Sequence, residues 1–153
     1  MGFYYKGNEY DLGTFKGRKA LGDVNEKCFY DELDKRNVDY KIHKEQKDYT
    51  TMRDRLYGDV FIGNWDRNVD VKGFSISLES IKSLARGWFA ITNNGNDFTM
   101  VSVKVLSDLV YSDNIKISTL SSGAKGVKLD TIRELKESIS LDEYLKQESL
   151  IAS

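Results

Sequence analysis

Four side chains have the types and spacing to do chemistry together. Asp70 and Lys72 stand two apart in Val69-Asp70-Val71-Lys72, an alternating stretch that reads as a β-strand. On a strand, residues two apart share a face, so this carboxylate and this ammonium point the same way while Val69 and Val71 point into a core. Asp59 lies in Gly58-Asp59-Val60-Phe61-Ile62, within a strand expected over Leu56–Ile62. Aspartate is depleted inside strands, so its place beside Val60-Phe61-Ile62 suggests a role other than sheet formation. Glu26 belongs to a helix expected from Asp23 to about Arg36, on one face with Phe29, Tyr30 and Leu33. Converging carboxylates can hold a hard divalent cation through oxygen. A cation so held activates water and neutralises phosphate charge, and a nearby lysine can orient or deprotonate that water or stabilise a phosphorane.

The elements that would position these residues follow from the local patterns. Gly22-Asp23-Val24-Asn25-Glu26 reads as a capping box, with Asp23 as N-cap; that pattern alone would also account for Glu26. Val38–Ile42 alternates and is expected as a strand, with a polar loop or short helix over His43–Arg55. Gly63–Asn68 carries turn chemistry between the strands of Asp59 and Asp70. A helix is expected over Leu78–Arg86, with Ser77 a plausible N-cap, followed by a strand over Trp88–Thr92. Asn93–Asp97 is a hairpin loop, and the return strand is expected over Phe98–Leu106. Met1–Gly17 lacks a long period and is expected as short irregular structure. Ser121–Gly126 reads as a linker, with an amphipathic helix marked by Leu129, Ile132, Leu135 and Ile139 and a short one over Leu141–Glu148. The expected organisation is an α/β domain over residues 1–119, a central mixed sheet flanked by helices, and a linker with a C-terminal helical tail over 120–153.

In this order the residues resemble the PD-(D/E)XK nuclease superfamily. Its pattern is an acidic residue on a helix, then Asp on a strand, then Asp/Glu-x-Lys on the next strand. Glu26, Asp59 and Asp70-Val71-Lys72 match it, and Leu78–Thr92 fits the helix and strand that follow in the family. The resemblance covers roughly residues 20–110. It implies a restriction-endonuclease-like fold, Mg²⁺ (or Mn²⁺ in its place) at Asp59 and Asp70 with Glu26 as a further ligand, Lys72 acting on the attacking water, and DNA as substrate, branched or structured DNA included. The chain departs from the family name at Gly58, where the name has proline; glycine is a common variant there.

Three other acidic-x-Lys triplets occur, at Asp39–Lys41, Glu45–Lys47 and Glu134–Lys136. Only Asp70-Val71-Lys72 has an Asp-bearing strand just before it and a helical Glu upstream, so the order of elements carries the resemblance. Lys16, Arg18 and Lys19 form a basic cluster that could touch a phosphate backbone, and Ser75 and Ser77 could add hydroxyl contacts. The bland readings are a solvated basic surface and turn or cap serines. His43, the only histidine, is expected on a surface loop and cannot by itself build a histidine metal site. Trp65 at the expected hairpin tip could stack on a base.

Composition sets outer limits. The 153 residues carry 23 basic and 24 acidic side chains, a formal net charge of −1, which argues against a non-specific duplex coat. It is the best support for the alternative of a non-catalytic, nuclease-like binding or regulatory module. A third class is a small α/β interaction protein whose charges all face solvent. With 40% apolar and 31% charged residues the chain can fold around a core of its own. The lone Cys28 rules out an internal disulfide and suits a reducing, cytoplasmic setting. No apolar run is long enough to span a membrane, and Met1–Tyr10 lacks the apolar stretch of a secretory signal. With no separate recognition domain in sight, a homodimer joined through the helical tail is the expected way to supply a second half-site.

Overall fold

A long helix lies across a mixed sheet, and the end of that sheet holds the residues singled out above. The computed structural model describes residues 2–45, 58–63, 67–82, 87–93 and 97–152. The chain opens with a hairpin, β1 (Gly2–Tyr5) and β2 (Asn8–Asp11), and continues into α1 (Phe15–Lys35). Then come β3 (Tyr40–Ile42), a 3₁₀ turn at His43–Glu45, β4 (Val60–Ile62) and β5 (Arg67–Lys72). β6 (Ile76–Ser77) and α2 (Leu78–Ile81) lead to the hairpin β7 (Trp88–Thr92) and β8 (Phe98–Ser102). The remainder is α3 (Val103–Tyr111), β9 (Ser118–Thr119), β10 (Lys125–Val127), α4 (Leu129–Arg133), β11 (Ile139–Ser140) and α5 (Leu141–Ala152).

The central sheet has the order β11-β8-β7-β5-β4-β3. β5 and β7 run parallel and their other neighbours antiparallel, so the sheet is mixed as expected. A parallel pair needs a crossover, and β6 and α2 supply it between β5 and β7. Both faces are covered, which is why Trp88-Phe89-Ala90-Ile91 is apolar throughout rather than alternating. On one face Phe29 and Leu33 of α1 and Leu141, Tyr144 and Leu145 of α5 pack on Val60, Ile62, Val69, Val71, Ala90, Phe98 and Met100. On the other, Phe89, Ile91 and Val101 meet Ile76, Ile81, Val103, Leu106, Val127, Leu129 and Ile132. Each fully buried Phe, Leu, Ile or Val contributes roughly 1.5–3 kcal/mol, so α1 is held firmly through Phe29 and Leu33. Among the described residues no helix is long and apolar enough to cross a membrane.

Several local expectations are corrected. The N-terminal stretch is a regular hairpin, not irregular structure. The helix of Glu26 starts at Thr14, whose Oγ1 accepts from the Gly17 amide at 3.0 Å, and not at Asp23. Packing against the hairpin decides this: a Cβ on Gly17 would come within 1.9 Å of the Asp11 carbonyl oxygen. Asp23 and Glu26 are therefore mid-helix, and no capping role explains Glu26. The return strand ends at Ser102, and Val103, Leu106 and Val110 continue as one face of α3. The helix expected to reach Ile139 stops at Arg133, and Ile139 pairs with Met100 as part of β11. The stretch expected as a linker holds β10, which pairs with β6 and β9. The tail's Leu141, Tyr144 and Leu145 are buried within the chain. His43 is likewise buried, at 3% exposure, against Phe61 with ring centres 5.2 Å apart. Trp65, Arg53, Arg55 and the C-terminal part of the helix expected to Arg86 lie outside the described residues.

Candidate functional site

β5 carries Asp70 and Lys72 as the alternation predicts. Val69 and Val71 enter the core beneath α1, while Asp70 and Lys72 fall in register with Phe89 and Ile91, which belong to the opposite face. Asp70 is 5% exposed, and the Lys72 Nζ lies 3.2 Å from its Oδ2. A carboxylate so deeply buried needs such a partner.

Asp59 reaches the same place through a local irregularity. Its amide donates to the Val69 carbonyl at 3.1 Å, yet the register partner of Val69 is Val60. Two residues thus oppose one, the geometry of a β-bulge, which turns a side chain away from strict alternation. The Asp59 carboxylate swings onto β5 and accepts from the Val71 amide at 2.8 Å. The preceding Gly58 has φ +88°, and a Cβ there would lie 2.9 Å from the Asp70 Cβ. Proline, with φ near −65°, cannot adopt this backbone, and glycine can.

Glu26 completes the group from α1, with Lys44 Nζ 3.4 Å from its Oε2. The Asp59 carboxyl lies close to the carboxyls of both Glu26 and Asp70. Burial, then the charge of Asp70, then Glu26 drive it well above the usual carboxylate range. An acid buried beside two other acids is pushed toward its neutral form. Burial pulls the Lys44 ammonium down, but Glu26, Asp23 and Asp59 outweigh it and hold it above its ordinary value.

All three groups offer oxygen, the donor type a hard divalent cation takes. Among the described residues no three His, Cys, Asp or Glu side chains stand as a ready-made metal cage. Mg²⁺ does not require one, because it is commonly held by one or two carboxylates together with waters and substrate phosphate.

The other expected contacts are placed less centrally. Lys16, Arg18 and Lys19 are exposed on the first turns of α1, and Arg18 Nη1 donates to the Leu12 carbonyl at 3.3 Å. Lys19 shares the Glu26 face of the helix, about 10 Å away along its axis. Ser77 caps α2 by accepting from the Ser80 amide at 3.2 Å, as the bland reading has it. Ser75 lines a separate cavity of ≈ 490 Å³ with Phe74 and Lys128.

Three residues near the site had not been singled out as part of it. Lys44 sits in a stretch with no period, so no sequence signal marks it. The His43 ring pairs with Asn68 Oδ1 at 2.8 Å and its amide donates to the Asp59 carbonyl at 2.9 Å, fixing the bulge from behind. Tyr30, one turn after Glu26 on the face read from sequence, buries an Oη with no hydrogen-bond partner among the described residues. Burial, then Glu26, Asp59 and Glu45, raise that phenol far above its ordinary value.

Comparison of the chain with protein-family models, with curated proteins and with solved structures returns no match.

Proposed function

We propose that this chain is a Mg²⁺-dependent endonuclease that hydrolyses phosphodiester bonds in DNA, including branched or structured DNA. The observation that carries the reading is the convergence of Glu26, Asp59 and Asp70 from three different elements, with the Lys72 ammonium beside Asp70. The succession α1, β3, β4, β5, α2, β7 is read as a restriction-endonuclease-like core on the same grounds.

In this reading Asp59 and Asp70 would hold the metal, with Glu26 as a further ligand. When bound, the metal supplies positive charge that acidifies water and neutralises the phosphate. Lys72, 3.2 Å from Asp70, would donate to the attacking water or to a non-bridging phosphate oxygen as charge builds there. The Val71 amide fixes one Asp59 oxygen, so the carboxylate keeps its aim when its charge is taken up. Lys44 balances the charge of Glu26 from the outer side.

The test is incubation with linear, branched and single-stranded DNA in Mg²⁺ or EDTA. Cleavage in Mg²⁺ only, abolished in Asp70→Asn and Lys72→Ala proteins that melt as folded chains, is the expected result. Binding without cleavage under every condition would reassign the chain to a non-catalytic, nuclease-like module.

A further inference from the structure

A second feature opens onto Glu26 from the N-terminal side. A cleft of ≈ 690 Å³ lies between the first hairpin, α1 and the 3₁₀ turn, with Tyr5, Lys6, Lys27 and Tyr30 among its walls and Glu26 in its lining. That volume falls in the range of clefts that take small ligands.

The cleft lining carries Lys6, Lys27 and Lys44 against Asp23, Glu26 and Glu45, and its cations are disposed unequally. Lys44 is committed to Glu26 and Asp23 at 3.4 and 4.0 Å. Lys6 and Lys27 have no acidic partner among the described residues. Lys6 Nζ instead sits 5.3 Å from the centre of the Tyr5 ring. Among the described residues the hairpin pairs with no other strand.

Lys6 also holds a costly backbone. Tyr5 and Asn8 pair across a two-residue turn, Lys6-Gly7, in which both φ angles are positive, at 50° and 78°. Such turns favour Asn-Gly, and a lysine in the left-handed region costs about 1–2 kcal/mol. The contact of the Lys6 ammonium with the Tyr5 ring offsets part of that cost and holds the lysine in the cleft lining.

We propose that this cleft receives an unpaired DNA strand and leads it to the carboxylate cluster, with Lys6 and Lys27 on its phosphates and the Tyr5 ring against a base. An aromatic face flanked by lysines is the general means of holding a single strand. The role of the cluster rests on the nuclease reading; the cleft rests on its own residues.

The experiment uses the full chain in EDTA, where binding is read without cleavage. Fluorescence anisotropy follows a labelled oligo-dT 20-mer, and a 20-base-pair duplex, across a salt series. Lys6→Asn and Lys27→Ala are each expected to weaken single-strand binding several-fold and to flatten the slope of log K against log salt by about 0.7. Lys6→Asn should melt at or above the wild-type temperature, because asparagine suits the turn; a structural role for Lys6 predicts the reverse. Slopes unchanged in both variants, or a wild-type chain that binds the duplex as tightly as the single strand, would overturn the proposal. Lys6-dependent binding by a chain that never cleaves DNA in Mg²⁺ would defeat the nuclease reading and leave the cleft standing. Cleavage that ignores Lys6 and Lys27 would do the opposite.

Discussion

Replacing Asp59 with asparagine should make the metal-free chain more stable, an unusual outcome for a buried polar residue. The side chain keeps its size, and its amide oxygen still accepts from the Val71 amide now 2.8 Å from the carboxylate. Its NH₂ group can donate to Glu26 or Asp70, where the native carboxyl meets two other acids. The gain has a ceiling. At pH 7 the chain can escape the repulsion by protonating Asp59, which costs about 4 kcal/mol relative to a free carboxyl of pKa about 3.9. Two carboxylates about 4 Å apart in a medium of effective dielectric 20 give the same figure, about 4 kcal/mol. Half of that ceiling, about 2 kcal/mol, is expected to be recovered, raising Tm by about 4–8 °C in a chain of this size. The pH dependence follows from the sign. Because the folded pKa of Asp59 is raised, the folded chain binds more protons than the unfolded one above about pH 4, and wild-type stability falls as pH climbs from there toward the folded value. Asp59→Asn lacks that decline, so the gap should be small near pH 4 and widen upward. On the proposed metal site Mg²⁺ should reverse the ranking: at 100 times its Kd it would add about 2.7 kcal/mol to the wild type and nothing comparable to the variant. Circular-dichroism melts in EDTA and in MgCl₂, from pH 4 to 8, read all three effects. A variant no more stable than wild type in EDTA at pH 7, or one that Mg²⁺ stabilises equally, would refute the reasoning.

Two further outcomes concern the elements around the site. Gly58→Ala forces a Cβ into the space of the Asp70 side chain at φ +88°, so it should cost about 1–3 kcal/mol and lower DNA cleavage as well; chemical denaturation and a cleavage assay measure the two losses. Arg36 ties the end of α1 to the start of α5, with Nε 2.7 Å from Asp142 Oδ1 and Nη1 2.9 Å from Glu32 Oε1. Hydrogen bonds from Lys35 and Arg36 hold Glu32 below the usual carboxylate range, and the hydrogen bond from Arg36 does the same for Asp142. Depressed acids contribute stability above their unfolded pKa values and lose it as pH falls through the folded ones. Arg36→Met should therefore cost about 1 kcal/mol at pH 7, since Asp142 is largely exposed, and in urea titrations the deficit should begin to shrink below about pH 4 and disappear once pH has passed the lowered folded values.

Much of the sheet was legible because apolar periodicity is a local property. Val69-x-Val71 and Trp88–Thr92 announce strands whatever surrounds them, and the facing of Asp70 and Lys72 follows from the pleat alone. Elements whose limits depend on packing were less legible. The α1 start at Thr14 is set by Gly17 lying against Asp11, whereas Asp23 and Glu26 mimic a cap at the local level. Val101, Val103 and Val105 alternate as a strand would, yet the covered second face of the sheet draws Val103 and Leu106 into a helix.

For the four residues that could do chemistry the division is sharper. Their types, their order and the shared face of Asp70 and Lys72 were determined by sequence, because strand geometry repeats every two residues. That Asp59 meets Asp70 at all was decided only by tertiary structure. It depends on a bulge held by His43, on a glycine at positive φ that lets β4 close on Asp70, and on a helix begun early enough to bring Glu26 alongside. These are contacts between segments distant in sequence, and no local period encodes them.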